Sequence, residues 1–252
     1  MKAKVRVRQM KLNHLAIIMD GNRRWARMRT LQAVAGHDKG AQTLEDIASA
    51  LASYDVSYLT VFAFSTENWR RSRLEVNALL DIMRRFLRTK IDRLIEDNVR
   101  LHILGDRTAF DADLQAMFAD AEARTAHCTG LNLSVALNYG GQQDIEQAAR
   151  RMSADALASG VKTQPFVSYL ETAYLPPVDM LIRTGGEQRL SNFLLWDLSY
   201  AELYFTETFW PDFDADELGK AINSFYQRQR RFGGDSTGHI SDKNDASEEK
   251  LA

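Results

Sequence analysis

The residues best suited to chemistry begin at Asp20, which ends the apolar run Ile17, Ile18 and Met19 and is followed by Gly21 and Asn22. Arg23, Arg24, Trp25, Arg27 and Arg29 come next, then Gly36 and His37. A carboxylate beside several guanidinium groups makes physical sense if a magnesium ion and a phosphate group lie together. The carboxylate holds the hard cation while the guanidinium forks grip phosphate oxygens. A capping aspartate followed by a solvated basic helix face accounts for the same spacing.

Two further stretches carry groups of the same kind. Ser65, Thr66, Glu67, Asn68, Trp69, Arg70 and Arg71 leave a second apolar run. Ser, Asn and Arg donate to phosphates, and Glu67 with Trp69 could orient them or close a site; a capped loop entering a helix is the alternative. The third stretch runs from Arg183 through Gly185 and Gly186 to Arg189, Ser191 and Asn192. A Gly-Gly pair lets backbone amides approach an anion closely. Arg183, Arg189 and Ser191 could add charge-assisted bonds of about 1.5 to 3 kcal/mol each. A structural Gly-Gly turn is the competing explanation.

These groups need a scaffold that brings loop ends together. Short apolar or β-branched runs at 15–19, 58–64, 101–104, 131–137 and 180–182, separated by helical patterns, predict a largely parallel sheet with helices on both faces. Ligands of such sheets bind beyond the carboxyl ends of the strands, where all three stretches begin. One helix is expected to carry an apolar stripe from Val76 to Ile95 over some six turns; simple core packing accounts for most of it, and the functional alternative is that part of it walls an apolar cavity for a greasy substrate. Asp212, Asp214 and Asp216 follow Pro211 into a helical pattern and read as helix-capping acids rather than calcium ligands.

Composition removes several classes. With 252 residues, 45% apolar and 26% charged, the chain can bury a large core, and one α/β domain is expected. The single cysteine, Cys128, reads as a small buried apolar residue; one cysteine excludes an internal disulfide and suits a reducing, cytoplasmic compartment. No run reaches the ~20 apolar residues of a membrane span. The start shows no signal-peptide pattern. A net charge of −2 gives no general attraction to nucleic acid. Neither Gly-x-Gly-x-x-Gly nor a P-loop occurs, and His-Glu-x-x-His and Gly-x-Ser-x-Gly are absent too. Residues 1–13 read as a basic arm, 14–234 as the folded domain and 235–252 as a polar, mobile tail.

Taken in order and spacing, Asp20-Gly21-Asn22-x-Arg24-Trp25-Ala26, Gly36-His37, Phe64 to Trp69, Asn138-Tyr139-Gly140-Gly141, Arg183 to Asn192, Trp196, Tyr200 to Phe205 and Trp210-Pro211 resemble the cis-prenyltransferases, the undecaprenyl diphosphate synthase-like family. The resemblance spans residues 14–234. It implies a single α/β domain with about six mostly parallel strands, a homodimer, and an apolar tunnel beneath the active-site mouth. The implied reaction joins isopentenyl diphosphate to an allylic diphosphate with Mg2+, giving a Z-prenyl diphosphate, with peripheral membrane contact if the product is long.

By the same resemblance Asp20 would hold magnesium, assisted by Glu202. Asn22, Arg24, His37 and the amides around Gly21 would bind the allylic diphosphate, Arg183, Arg189 and Ser191 would fix isopentenyl diphosphate, and Arg23 and Trp25 count among the substrate-binding residues without a subsite. Ser65, Glu67, Asn68, Trp69 and Arg71 would support substrate placement and proton removal, and Arg231 with Gly233 would reach an active site across the dimer. Two departures touch the allylic site: Arg23 stands where the family usually has Gly, and Ala33 where it usually has Arg. They imply altered diphosphate placement. Besides the chain elongator, the resemblance therefore covers irregular enzymes that make short lavandulyl or cyclolavandulyl diphosphates, and non-catalytic partner subunits.

Overall fold

The first apolar run forms strand β1 (His14–Ile18), in which all five residues are buried. Burial on both faces is what an inner strand of a parallel sheet requires, and it explains why the run does not alternate with polar residues. A computed structural model describes residues 11–159 and 164–228. Around β1 it places β2 (Tyr58–Ser65), β3 (Arg100–Leu104), β4 (Asn132–Tyr139), β5 (Met180–Arg183) and β6 (Glu202–Phe205). Their spatial order is β3-β4-β2-β1-β5-β6, and every pairing is parallel.

Chain direction decides where a site can form. From β1 the chain moves to β2 on one side, and it later crosses to β5 on the other, so β1 sits where the winding reverses. Helices on either side of such a point diverge and leave a crevice beyond the strand ends. The helices are α1 (Asn22–Met28), α2 (Ala33–Leu51), α3 (Arg73–Thr89), α4 (Ile91–Glu96), α5 (Ala112–Thr125), α6 (Gly141–Ser159) and α7 (Ala215–Gln227).

Alternate residues of β1 feed two cores. Leu15 and Ile17 join a cluster with Leu44 and Ile47 of α2, Leu79 of α3 and Phe118 of α5. Ala16 and Ile18 face Leu181, Phe193 and Leu194 on the opposite side. Full burial of such a side chain contributes about 1.5 to 3 kcal/mol relative to exposure, so a strand buried on both faces fixes its register firmly.

The expected six-turn helix is two helices. α3 ends at Thr89 and α4 starts at Ile91, with Lys90 (φ −115°, ψ −10°) serving as the C-cap of one and the N-cap of the other. No Gly or Pro marks the break. Thr89 instead donates its hydroxyl to the Arg85 carbonyl at 2.9 Å, a back-bond that bends helices. The turn lets Ile91 and Leu94 sink into the core that Leu87 already occupies. The capping reading of the 212–216 acids holds at Asp214, whose carboxylate accepts from the amides of Asp216 and Glu217 at 3.0 Å. Cys128 is buried.

Candidate active site

Asp20 lies just past β1, where its backbone is fixed on both sides. The Thr184 hydroxyl donates to the Asp20 carbonyl at 2.7 Å and accepts from the Asp20 amide at 3.0 Å. Because Ile18 pairs with Arg183 across β1 and β5, the side chains just beyond those positions meet. Arg183 Nη2 donates to Asp20 Oδ2 at 2.9 Å, and Arg24 Nη2 stands 3.2 Å from Oδ1. The Gly21 amide closes the carboxylate with a 2.6 Å bond to Oδ1.

Arg183 is the buried hub. Its side chain is 4% exposed, and Nη1 donates to Ser191 Oγ at 2.8 Å and to the Arg189 carbonyl. Its Nε is buried without a partner. A planar fork spanning β1, β5 and the 189–191 loop cannot be replaced by an ammonium group, which lacks the geometry. Arg24 packs over the Phe209 ring, 5.3 Å from the centroid, and Glu187 pairs with Arg189.

The Gly-Gly turn serves the frame rather than an anion. Gly185 and Gly186 take φ +84° and +81°, and their amides donate at 2.8 Å to the carbonyls of Thr208 and Thr206. A Cβ on Gly185 would stand 2.7 Å from Arg24 Nη2, and one on Gly186 would stand 2.4 Å from Glu207 Oε2. Of the two readings of this turn, the structural one applies.

Across the mouth, β2 ends in a short 3-10 turn, Thr66–Arg70, closed by a capping box between Ser65 and Asn68. The Asn68 side chain accepts from the Ser65 amide at 3.1 Å. Burial pushes the Glu67 carboxyl up, but bonds from Ser65, its own amide, Asn192 and Thr66 outweigh this and hold it below the usual carboxylate range. Arg71 Nη1 donates to Glu75 Oε1 at 2.9 Å. His37 faces these groups from α2. Burial, reinforced by the positive charge of Arg71, lowers it to about 4, so its ring is neutral at pH 7.

Asp20, Gly21, Asn22, Arg23, Arg24, His37, Ser65, Glu67, Asn68, Arg71, Arg183, Arg189 and Ser191 thus line one cavity of about 1370 Å³. Below this polar rim its walls turn apolar with Leu44, Met83, Phe86, Leu87, Ile103 and Phe118. The expected greasy wall is therefore present on α3, joined by side chains from α2, α5 and the sheet. Three predicted residues stand elsewhere. Trp25 donates its indole N–H to Asp212 at 2.7 Å, under the Arg29 guanidinium. Trp69 donates to Asn138 at 2.8 Å and packs against Phe64 and Phe110. Both tryptophans brace the loops that carry their polar neighbours.

Glu202 is the third. It opens β6 opposite Met180, which pairs with Leu15, so it lies five residues, roughly 16 Å along the strands, from Asp20. It accepts from Arg228 at 2.9 Å. Within one chain Asp20 and Glu202 are not brought together. Arg231 and Gly233 lie outside the described residues. Thr184, Glu75, Glu187 and Asn192 were not singled out from sequence. Thr184, Glu187 and Asn192 sit inside the motif around Arg183, but their type alone gave no signal; Glu75 looked like any exposed helix acid.

The donor set suits one hard cation shared with a substrate. Of roughly four lone-pair positions on the Asp20 carboxylate, Gly21 and Arg183 take two by hydrogen bonds, and Arg24 adds an ion pair to Oδ1 at 3.2 Å. The carboxylate keeps acceptor capacity for a cation. Magnesium is commonly held by one or two carboxylates plus substrate phosphates and water. No three His, Cys, Asp or Glu side chains converge among the described residues.

An open parallel sheet, an arginine-ringed mouth at its switch point and an apolar cavity below form a site whose chemistry suits phosphate at one end and hydrocarbon at the other. Residues 18–233 match the family model described as "Putative undecaprenyl diphosphate synthase". An isoprenyl transferase of Chromobacterium violaceum is 49% identical over 220 residues, covering 87% of each chain. A ditrans,polycis-undecaprenyl-diphosphate synthase, (2E,6E)-farnesyl-diphosphate specific, of Pseudomonas syringae pv. tomato is 47% identical over 225 residues, covering 87% of this chain and 90% of that one. Lavandulyl diphosphate synthase from Lavandula x intermedia, solved with dimethylallyl diphosphate, superposes with a TM-score of 0.83 at 35% identity, covering 88% of this chain and 98% of the other. The chain belongs to the undecaprenyl diphosphate synthase family and is a prenyl transferase of isoprenoid biosynthesis.

Proposed function

We infer that this enzyme condenses isopentenyl diphosphate with an allylic diphosphate and extends a Z-prenyl chain. The observation that carries the reading is the joining, in one cavity of about 1370 Å³, of a lining with six arginines, Arg23, Arg24, Arg27, Arg71, Arg183 and Arg189, to an apolar interior. That volume exceeds the ~300 to 1,000 Å³ of ordinary small-molecule pockets. Each methylene buried there contributes about 0.8 kcal/mol, so the hydrocarbon tail binds by sliding inward while its head stays at the rim.

The allylic diphosphate is assigned to Arg24, His37, Asn22 and the first turn of α1, whose leading amides have no earlier helical carbonyl to meet. Isopentenyl diphosphate is assigned to Arg183, Arg189 and Ser191. The bond from the allylic carbon to its diphosphate oxygen breaks, the isopentenyl double bond supplies the electron pair of the new carbon–carbon bond, and a proton passes from the adjacent carbon to the released diphosphate. Guanidinium groups fixed in place stabilise the charge that gathers on the departing diphosphate. Magnesium on Asp20 supplies further neutralisation of that charge when bound. Glu67, held ionised by several donors, is a weak base and serves to orient the Ser65–Asn68 turn.

A homodimer is assigned on β6, an edge strand flanked by exposed Tyr200 (79%) and Trp196 (46%), surface that a second copy would cover. The single buried cysteine suits a reducing, cytoplasmic compartment. Among the described residues no helix is long and apolar enough to cross a membrane.

The test is incubation with isopentenyl diphosphate, Mg2+ and dimethylallyl, geranyl or farnesyl diphosphate in turn, with products identified by mass and double-bond geometry. Linear Z-chains are expected. Short branched or cyclic diphosphates would instead establish the irregular condensation that the lavandulyl likeness and the changes at Arg23 and Ala33 raise; no turnover with any acceptor would remove the catalytic reading.

A further inference from the structure

The rim of the cavity holds two guanidinium groups on one carboxylate. Arg23, in the first turn of α1, places Nε 3.5 Å from Glu75 Oε1, the same oxygen that accepts from Arg71 Nη1 at 2.9 Å. One positive charge is therefore in excess at this point. The three side chains differ in freedom: Glu75 is 15% exposed, Arg71 27% and Arg23 61%. Arg23 is the member able to move. Its contact is the longer one, and ion pairs this exposed contribute little.

What lies within its reach is a face of α2 short of donors. Ala33 and His37 stand one turn apart on that helix, so both look the same way. Both line the cavity together with Arg23 and Arg71. Arg23 lines the same cavity as this face and reaches Glu75 on α3 at its rim. His37 Nε2 is buried and has no hydrogen-bond partner, and Asn22 Oδ1 nearby is in the same condition. Ala33 offers only a methyl group there. A doubly charged head entering between α1 and α2 would meet no cation on the Ala33–His37 face, so the positive charge that can reach it comes from Arg23 and Arg24 of α1 and from Arg71.

We propose that Arg23 is the mobile cation of the allylic subsite: it leaves Glu75 and closes on the incoming allylic diphosphate above the Ala33–His37 face of α2, and so sets affinity for that substrate alone. This rests on the functional reading above and deepens it. Arg71 keeps Glu75 satisfied after the exchange, so no carboxylate is stranded at the rim. Arg183, Arg189 and Ser191 belong to a separate cluster built on β5 and the 189–191 loop, which Arg23 does not touch, so binding of isopentenyl diphosphate is independent of it.

The experiment is steady-state kinetics of the full chain with Mg2+, varying farnesyl diphosphate and isopentenyl diphosphate separately, for wild type, Arg23→Ala and the double variant Arg23→Ala/Ala33→Arg. Arg23→Ala is expected to raise KM for farnesyl diphosphate about tenfold while KM for isopentenyl diphosphate stays within about twofold. The double variant, which returns a guanidinium to the same face from α2, is expected to recover most of that loss. A brace between α1 and α3 would not be restored from α2, so rescue separates binding from structure. Unchanged KM for farnesyl diphosphate in Arg23→Ala, equal increases for both substrates, or no rescue would overturn the proposal while leaving the functional reading intact. Failure of the wild type itself to bind or turn over farnesyl diphosphate would overturn both.

Discussion

Asp20 and Arg183, 163 positions apart in the chain, meet at 2.9 Å because β1 and β5 are parallel neighbours ending level with one another. The carboxylate is 30% exposed toward the cavity, while the guanidinium is 4% exposed and tied to the 189–191 loop. One contact thus joins the metal-binding candidate to the group assigned to the second diphosphate.

Asp20→Ala removes that carboxylate and leaves a buried guanidinium without its counter-charge. Turnover is expected to fall by about two to three orders of magnitude. Uncompensated burial also lowers stability, so a thermal melt should accompany the rate assay. A variant that folds and turns over at near wild-type rate would remove Asp20 from the mechanism.

Gly36→Ala tests the closeness of α1 and α2. Its Cβ would stand 2.1 Å from the Asn22 carbonyl oxygen, which no rotamer change relieves. The helices must separate, with a loss of about 1 to 3 kcal/mol in urea unfolding and a higher KM for the allylic substrate. Unchanged values of both would show that the α1–α2 contact does not shape the subsite.

Met83→Trp narrows the apolar wall on α3 without touching the rim. Products are expected to shorten, read as a shift in the mass distribution, with KM for isopentenyl diphosphate preserved. An unaltered product distribution would place the growing chain elsewhere.

Asp197 carries a pH signature away from the cavity. Burial, aided by the negative charge of Asp144, raises its carboxyl to about 6, and Oδ2 is buried without a partner. Below its ordinary value near 3.8 both folded and unfolded chains hold the proton, so nothing is lost. As pH rises from there to about 6 the unfolded chain releases its proton first, and the native state loses stability; above 6 the full cost is present. Asp197→Asn should therefore raise Tm by a few degrees at pH 7.5 and by almost nothing at pH 4. An equal gain at both pH values would contradict the assignment.

Five strands were legible because their apolar runs are bounded by polar loops. β6 was visible only as part of a motif, since Glu202–Phe205 is half-buried throughout and shows no alternation. The break at Lys90 lacks Gly or Pro, so an unbroken stripe from Val76 to Ile95 looked like one helix. At the site, charged residues at strand ends pointed to the cavity directly, because parallel strands deliver their ends to one edge. Trp25 and Trp69 stood in the same motifs but face away from it: residue type marks a stretch as functional without saying which members brace it. The amides of Gly185 and Gly186 illustrate the same limit, as their use in the β5–β6 frame depends on the Thr206 and Thr208 carbonyls some twenty residues later.

The central claim is that diphosphate sits in the arginine ring while hydrocarbon fills the cavity between α2, α3 and the sheet. A crystal structure with Mg2+ and farnesyl thiodiphosphate, which resists cleavage of its head group, tests this most directly. The account predicts the diphosphate at Arg24 and His37 and the farnesyl chain running past Met83 and Phe86 toward Ile103. A head group bound away from Asp20, or a chain lying on the outer surface with the cavity unfilled, would contradict it.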